Sequence, residues 1–295
     1  MSPSSKASRP VVVIGAGRSG TKILRDTLCR LPGLGTWPCD EINYIWRHGN
    51  ASYPSDELSP EHALPRVRRF IRRRFDRLAS SRNLTHVVEK TCANSLRVEF
   101  VDRVLPDALF IFLVRDGRDV VASAQKRWRA PLDWPYLLSK ARFVPISDLP
   151  YYGGRYLWNR FHRLVMSTDG RLASWGPRFE GMGELARSKD LPTVCAHQWR
   201  RCVERSEEAF ASIDEARVFR VRYEDLVAAP NERLAELCVF LGVEASRDDL
   251  LGATAGIRAG RTGAWRDELP AQVVERILPH LAPVLERHGY EAGNG

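Results

Sequence analysis

Residues 109–128 read LFIFLVRDGRDVVASAQKRW. Six consecutive apolar residues, Leu109 to Val114, show no polar alternation, so the strand they predict is buried on both faces. The run ends in Arg115-Asp116-Gly117, and a helix is predicted from about Gly117 to Trp128. A buried strand that passes through a short polar turn into a helix is half of a βαβ unit.

The same pattern recurs on either side. Val11 to Ile14 is a β-branched run that breaks into glycines, and a helix should follow from about Thr21 to Arg30, stopped by Pro32 and Gly33. Leu64, Val67, Phe70, Ile71, Phe75 and Leu78 fall on one stripe of a helix over Leu64–Leu78, with arginines on its other face. His86 to Glu89 predicts a strand, Asn94 the cap of a helix running to about Leu105, and Val218 to Val221 a further strand. A helix starting near Asn231, behind Pro230, ends at Gly242, and a last amphipathic helix occupies about Pro270 to His288. Leu34 to Cys39 (LGTWPC) contains a glycine and a proline and does not read as a strand. The fold class is therefore α/β: a P-loop-like parallel sheet flanked by helices, in one domain over residues 1–295. Residues 1–10 are polar and expected to be disordered. Between about 130 and 190 aromatic, proline and glycine residues replace clean periodicity, which predicts a lid or an acceptor-binding insertion.

Lys+Arg number 45 against 36 Asp+Glu, a formal charge of +9, and only six of the 45 are lysines. Arginine suits bidentate contacts to phosphate or sulfate, so an anionic partner would be welcome, although a compositional bias toward arginine accounts for much of the excess. No apolar run reaches the length of a membrane span and no signal-peptide core precedes the first strand, so a cytoplasmic protein is expected. The six cysteines are scattered without CxxC pairs or nearby ligand histidines; free thiols and no metal site are the expectation.

Gly15-Ala16-Gly17-Arg18-Ser19-Gly20-Thr21-Lys22 follows a strand and opens a helix, where free N–H groups and the positive end of the helix dipole favour an anion. Three readings compete. Gly15, Gly17 and Gly20 fit the G-x-G-x-x-G dinucleotide fingerprint, with Asp40 or Glu41 as the acid about 20 residues on, which would suit an NAD(P)- or FAD-dependent enzyme. Gly15 and Gly20 have the Walker A spacing, but Thr21-Lys22 reverses the Lys-Ser/Thr order that motif needs. Arg18-Ser19-Gly20-Thr21 also resembles the 5'-phosphosulfate loop of sulfotransferases that use 3'-phosphoadenosine-5'-phosphosulfate (PAPS).

Three further segments carry that resemblance. Arg115 at a strand end and Ser123 eight residues later resemble the family's site for the 3'-phosphate of PAPS, where a guanidinium grips one phosphate bidentately. Arg222-Tyr223-Glu224-Asp225-Leu226 resembles the family's R-Y-E-D-L. Arg258-Ala259-Gly260-Arg261-Thr262-Gly263-Ala264-Trp265-Arg266 resembles the R-x-G-x-x-G-x-W-[RK] loop that closes over the nucleotide. The four matches stand in the family's order from Val11 to Arg266. The resemblance implies that Gly17, Arg18, Ser19, Gly20, Thr21, Lys22, Arg115, Ser123, Tyr223, Arg258, Arg261, Thr262, Gly263 and Trp265 bind PAPS.

It also implies sulfuryl transfer to a hydroxyl or amine of an acceptor (a glycan, lipid or natural product) without a metal. For the base, Glu41 lies 23 residues after Arg18, as in the tyrosylprotein and several bacterial branches. The cytosolic branch's histidine in K-T-H is replaced here by Lys90-Thr91-Cys92, which points to the glutamate branch. Asp40 and then His48 are the other candidates. Lys90 is expected near the bridging oxygen, and Asn94, Arg97 and Arg178 toward the acceptor. A nucleic-acid-binding surface built on Arg66 to Arg74 (RVRRFIRRR) leaves the glycine turn and Arg115 unexplained, so no nucleic-acid partner is expected. Oligomeric state is open.

Overall fold

The computed structural model describes residues 8–128, 145, 148, 175–258 and 261–291. The chain opens with β1 (Arg9–Ile14), α1 (Thr21–Leu28), β2 (Leu34–Gly35), α2 (Asn43–Trp46), α3 (Pro65–Arg82) and β3 (His86–Lys90). A 3-10 turn over Cys92–Leu96 leads into α4 (Val98–Val104), β4 (Leu109–Val114) and α5 (Gly117–Trp128). Beyond residue 175 come α6 (Met182–Ser188), α7 (Leu191–Phe210), β5 (Val218–Arg222), α8 (Tyr223–Ala228), α9 (Pro230–Leu241), α10 (Arg247–Thr254), α11 (Trp265–Glu268) and α12 (Ala271–Arg287).

All described strand pairs are parallel, in the order β2-β3-β1-β4-β5. Because side chains alternate across a strand, Val11, Val13, Leu109, Ile111 and Leu113 enter one core with Leu24 and Leu28 of α1 and Leu234 and Leu237 of α9. Val12, Ile14, Phe110 and Phe112 enter the other, with Phe75 of α3, Val121 of α5, Trp199 of α7 and Ile277 of α12. The apolar β4 is thus the centre of two cores, as its sequence requires. β1 and β4 are neighbours, yet α1 leaves to one face and α5 to the other. A crevice opens where such adjacent connections diverge at the carboxyl ends of the strands, and Gly15 and Arg115 stand at its two sides.

The structure departs from the sequence reading at several places. Leu34-Gly35 does form a strand, two residues long, pairing with His86 and Val87; its brevity is what the glycine and proline impose. Arg9 and Pro10 already pair with His86 and Val87, so order starts before residue 11. Asn94 does not cap a helix: it lies buried in the 3-10 turn, donating to Glu89 Oε2 at 2.9 Å. α3 runs on to Arg82 and closes on Asn83 in the left-handed conformation, while Leu64 at its start is exposed. α6 lies inside the stretch read as aperiodic; the rest of the expected 130–190 insertion falls mostly outside the described residues.

Gly117 opens α5 against Trp199, whose indole N–H donates to the Arg115 carbonyl at 3.2 Å. A Cβ at Gly117 would stand 2.8 Å from the indole ring. Alanine gains up to about 1 kcal/mol of helix propensity, but overpacking costs about 1–3 kcal/mol, and the cost wins. Gly117→Ala should lower the urea midpoint at equilibrium; an unchanged or raised midpoint would show that Trp199 yields freely.

Candidate active site

In the turn after β1, Arg18 and Gly20 both adopt positive φ, 73° and 94°. Gly20 is also the N-cap of α1 and brings no side-chain acceptor to the helix's first N–H groups. A Cβ on Gly20 would lie 2.4 Å from the ring of Tyr223, the first residue of α8. The Ser19 hydroxyl is buried without a hydrogen-bond partner. A buried donor left unpaired is costly unless a ligand completes it. Gly17 makes room for something other than a pyrophosphate: a Cβ there would meet the Trp175 ring at 3.2 Å.

Guanidinium groups gather round this turn. Arg115 Nη1 donates to the Arg18 carbonyl at 3.3 Å and its Nη2 to the Arg261 carbonyl at 2.7 Å, while its plane lies 4.4 Å over the Tyr223 ring. Arg18 Nε donates to Ser123 Oγ at 2.9 Å. The pKa of Arg18 is lowered by burial and by the positive charges of Arg127, Arg115 and Arg261, against a smaller opposing effect of Cys92. Asp119 is the counterweight. It is buried, accepts from the N–H groups of Gly263 and Trp265 at 2.9 Å each, and lies 3.4 Å from Arg115 Nη2. One carboxylate thereby ties α5 to the 261–265 loop.

A second cluster stands at the end of β3. Lys90 Nζ, almost wholly buried, is 3.1 Å from Glu41 Oε1 and 3.3 Å from Asp40 Oδ1. Glu41 Oε1 also accepts from the Cys92 N–H at 3.2 Å, and Cys92 Sγ reaches Thr21 Oγ1 of α1 at 3.8 Å. Burial opposes the ammonium charge of Lys90, but the Cys92 sulfur, Glu41 and Asp40 outweigh it and raise the lysine pKa. Burial pushes the Cys92 thiol up to about 12. Behind Lys90, Glu89 accepts from Thr91 Oγ1 at 2.5 Å and Asn94 Nδ2 at 2.9 Å. Burial pushes this carboxyl up to about 7, helped by the nearby Glu41 and resisted by Thr91 and Lys90.

Arg18, Ser19, Gly20, Arg115, Ser123, Tyr223, Arg261 and Gly263 are thus brought into one group, and Glu41 and Lys90 into a second that touches α1 through Cys92. Other expected residues stand apart. The Lys22 ammonium is exposed and pairs with Asp26 one turn along α1. Arg258 and Thr262 are exposed. The Trp265 ring is buried, with the Arg118 and Arg266 guanidiniums 4.2 and 4.6 Å from its centroid, so it anchors the loop. Asn94 and Arg97 are buried. Arg178 meets Asp56 through its backbone, its N–H donating at 2.9 Å to Asp56 Oδ2. His48 pairs with Asp148 at 3.0 Å. The sequence reading missed Arg127 and Asp119. Arg127 lies one helical turn beyond Ser123, a spacing that signals a shared face, whereas the partners of Asp119 lie far off in sequence; its neighbour Arg118 pairs with Asp116 at 2.8 Å. Among the described residues no group of three His, Cys, Asp or Glu could hold a metal ion, and no helix is long and apolar enough to cross a membrane.

A family model described as "Sulfotransferase family" matches residues 10–144 and 172–248. No curated protein sequence matches the chain. Among solved structures, the sulfotransferase domain from the curacin biosynthetic pathway is similar with a TM-score of 0.55 and 14% identity, over 96% of this chain and 98% of that one. Sulfotransferase STF9 from Mycobacterium avium also gives 0.55 at 14% identity, over 97% and 78%. The sulfotransferase domain from the Synechococcus PCC 7002 olefin synthase gives 0.50 at 17%, over 99% and 98%. At these identities the likeness to the solved structures is one of fold.

Glu89 makes stability depend on pH. Its carboxyl, ordinarily near 4.5, is raised by folding, so the folded chain holds a proton that the unfolded chain releases. This contribution is full below the ordinary pKa and is lost as pH rises toward about 7. Between pH 5 and 8 the wild type should lose more stability than Glu89→Gln, by up to about 3 kcal/mol. Urea midpoints across that range check it; parallel curves for the two proteins would show that Glu89 stays ionised.

Proposed function

The chain belongs to the sulfotransferase family, and we propose that it moves a sulfuryl group from PAPS to a hydroxyl or amine of an acceptor. The observation that carries this reading is the pair Arg18 and Arg115 at a glycine turn that holds an unpartnered Ser19 hydroxyl, with Arg18 on Ser123 and Arg115 on the carbonyls of Arg18 and Arg261. Like charges gathered this way are stabilised by a multiply charged anion. In this reading the Arg18–Thr21 turn and the N-terminus of α1 hold the 5'-phosphosulfate. Arg115 and Ser123, with Arg127, Arg261 and Gly263, hold the 3'-phosphate. Tyr223 supports both parts, since Gly20 and Arg115 rest on its ring.

Bound PAPS supplies the sulfuryl group and leaves as the 3',5'-bisphosphate. Glu41, partly exposed, takes the proton of the acceptor, a role worth ~10²–10⁴-fold in rate. Its Oε1 is fixed by Lys90 and the Cys92 N–H, and Lys90 brings a buried positive charge to the place where negative charge grows on the leaving group. Nothing in the geometry favours a dinucleotide. Asp40 and Glu41, either of which that reading needs for a ribose, are both engaged, Asp40 by Arg25 and Lys90 and Glu41 by Lys90 and the Cys92 N–H. All six cysteines are thiols outside any disulfide, which fits the cytoplasmic location the composition suggests.

3'-Phosphoadenosine-5'-phosphate at 100 times its Kd should raise Tm by about 5 °C or more, whereas 5'-AMP at the same concentration should not. Arg115→Gln should abolish that shift. Equal shifts with both nucleotides, or a shift that survives in Arg115→Gln, would sink the assignment of the 3'-phosphate. With an active acceptor in hand, Glu41→Gln should reduce kcat by ~10²–10⁴ and leave the thermal shift unchanged; a kcat within a few-fold of wild type would move the base elsewhere.

A further inference from the structure

The outer face of α3 carries a cationic groove that the donor site does not use. Arg66, Arg69, Arg73, Arg74 and Arg77 line a cavity of about 550 Å³. The spacing of Arg66, Arg69, Arg73 and Arg77 by three and four residues places these four on one stripe, about 16 Å long at 1.5 Å per residue, with Arg74 beside it. None of the five forms an ion pair with a described acidic residue. Arg72 on the same helix, by contrast, is neutralised by Asp76 and Asp107. An ordinary solvated helix face alternates its charges to gain i,i+4 pairs. Among the described residues this one leaves them without ion pairs, around a concave space.

We propose that this groove binds an anionic oligosaccharide, the part of the acceptor that lies away from the reacting group. The inference rests on the sulfuryl-transfer reading for the word acceptor, but not for the binding. Five guanidiniums lining one groove exceed what a single small anion engages, and they fit a chain whose carboxylates or sulfates recur along its length. Single-stranded nucleic acid needs aromatic faces on which bases stack. The one phenyl ring in the groove, Phe70, is already engaged, with the His48 ring 3.8 Å from its centroid and the Arg74 guanidinium 4.9 Å away. A peptide would look for a free strand edge or apolar pockets, and a helix face lined by arginine provides neither. The His48 carboxylate partner, Asp148, is the only acidic group that the described structure places at the groove. His48, which lines the groove, follows Glu41 by seven residues, so the two lie no more than about 25 Å apart along the chain.

The test uses the full-length protein and a heparin-derived hexasaccharide, measured by titration calorimetry. Arg69→Ser/Arg73→Ser/Arg77→Ser should weaken its Kd by roughly tenfold or more. Arg187→Ser/Arg247→Ser/Arg276→Ser, which removes the same charge from other exposed sites, should stay within about threefold. Equal losses in the two triple variants would reduce the effect to net charge and overturn the groove. An RNA hexamer or a hexaglutamate peptide that binds wild type as tightly, with the same loss in the α3 variant, would overturn the oligosaccharide assignment. The thermal shift with 3'-phosphoadenosine-5'-phosphate, read on the same samples, should persist in both variants. Its absence from the wild type would count against the donor reading alone.

Discussion

Arg18 and Arg115 stand at one short turn, the positive charges of Arg127 and Arg261 act on the same Arg18, and the architecture has to hold these like charges in place. Like charges brought together repel, and more strongly where burial lowers the effective dielectric. Asp119 is the carboxylate placed inside the group, and it is buried with two main-chain N–H bonds besides Arg115. A carboxylate fixed in this way keeps its charge in the group without collapsing onto a single arginine. The remaining positive charge is left for whatever enters the crevice, with the side chains already placed and little left to reorganise on binding.

Placement is a property of the sheet. β1 and β4 lie side by side, and their helices leave to opposite faces, so the crevice between Gly15 and Arg115 follows from topology. The details are set by packing on both sides of it. Trp199 holds the Arg115 carbonyl from α7, and the Asp116 N–H donates to Glu224, which in turn accepts from the Tyr290 hydroxyl at 2.6 Å. Gly20 lies against Tyr223 from the other core. Arg115 is thus set from three elements that are remote in sequence, and neither core could shift without moving it.

How much of this was legible in the sequence follows from which interactions are local. β1, β4 and α5 were readable because an unbroken apolar run and a helical period are local signals, and α5 spans the residues expected of it. The glycine turn, Arg115 and Ser123 were readable because spacing within one strand–turn–helix unit survives in sequence. β2 was not, because a two-residue edge strand is defined by its pairing to β3 and by little in its own residues. Asp119 was misjudged for the same reason: its partners, Gly263 and Trp265, lie 144 and 146 residues away. Arg127 was within reach of the helical period, but an arginine at a helix C-terminus has an ordinary explanation in the helix dipole. Asn94 was read as a cap on its residue type, and the buried carboxyl of Glu89 then took it for another purpose.

That competition for Asn94 bears on the segment that carries Glu41, the proposed base. Glu89 and Lys90 are consecutive in β3 and therefore point to opposite faces of the sheet. Lys90 meets Glu41. Glu89 instead begins a buried polar chain that continues from Asn94 Oδ1 to Arg97 Nε at 2.9 Å and from Arg97 Nη2 to Asn43 Oδ1 at 2.5 Å. Asp56 joins it, 2.9 Å from Arg47 and 3.6 Å from Arg97, and accepts the Arg178 N–H. Thr91, which donates to Glu89, also accepts the N–H of Ile42 at 3.2 Å. The segment carrying Glu41 is therefore pinned from below by the same network that fixes residues near 178. Such a network is stabilising only when every member is satisfied. It reaches the Glu41 segment through one main-chain contact, the Ile42 N–H on Thr91 Oγ1, so Glu89 bears on the backbone beside Glu41 and not on its carboxylate by any hydrogen bond.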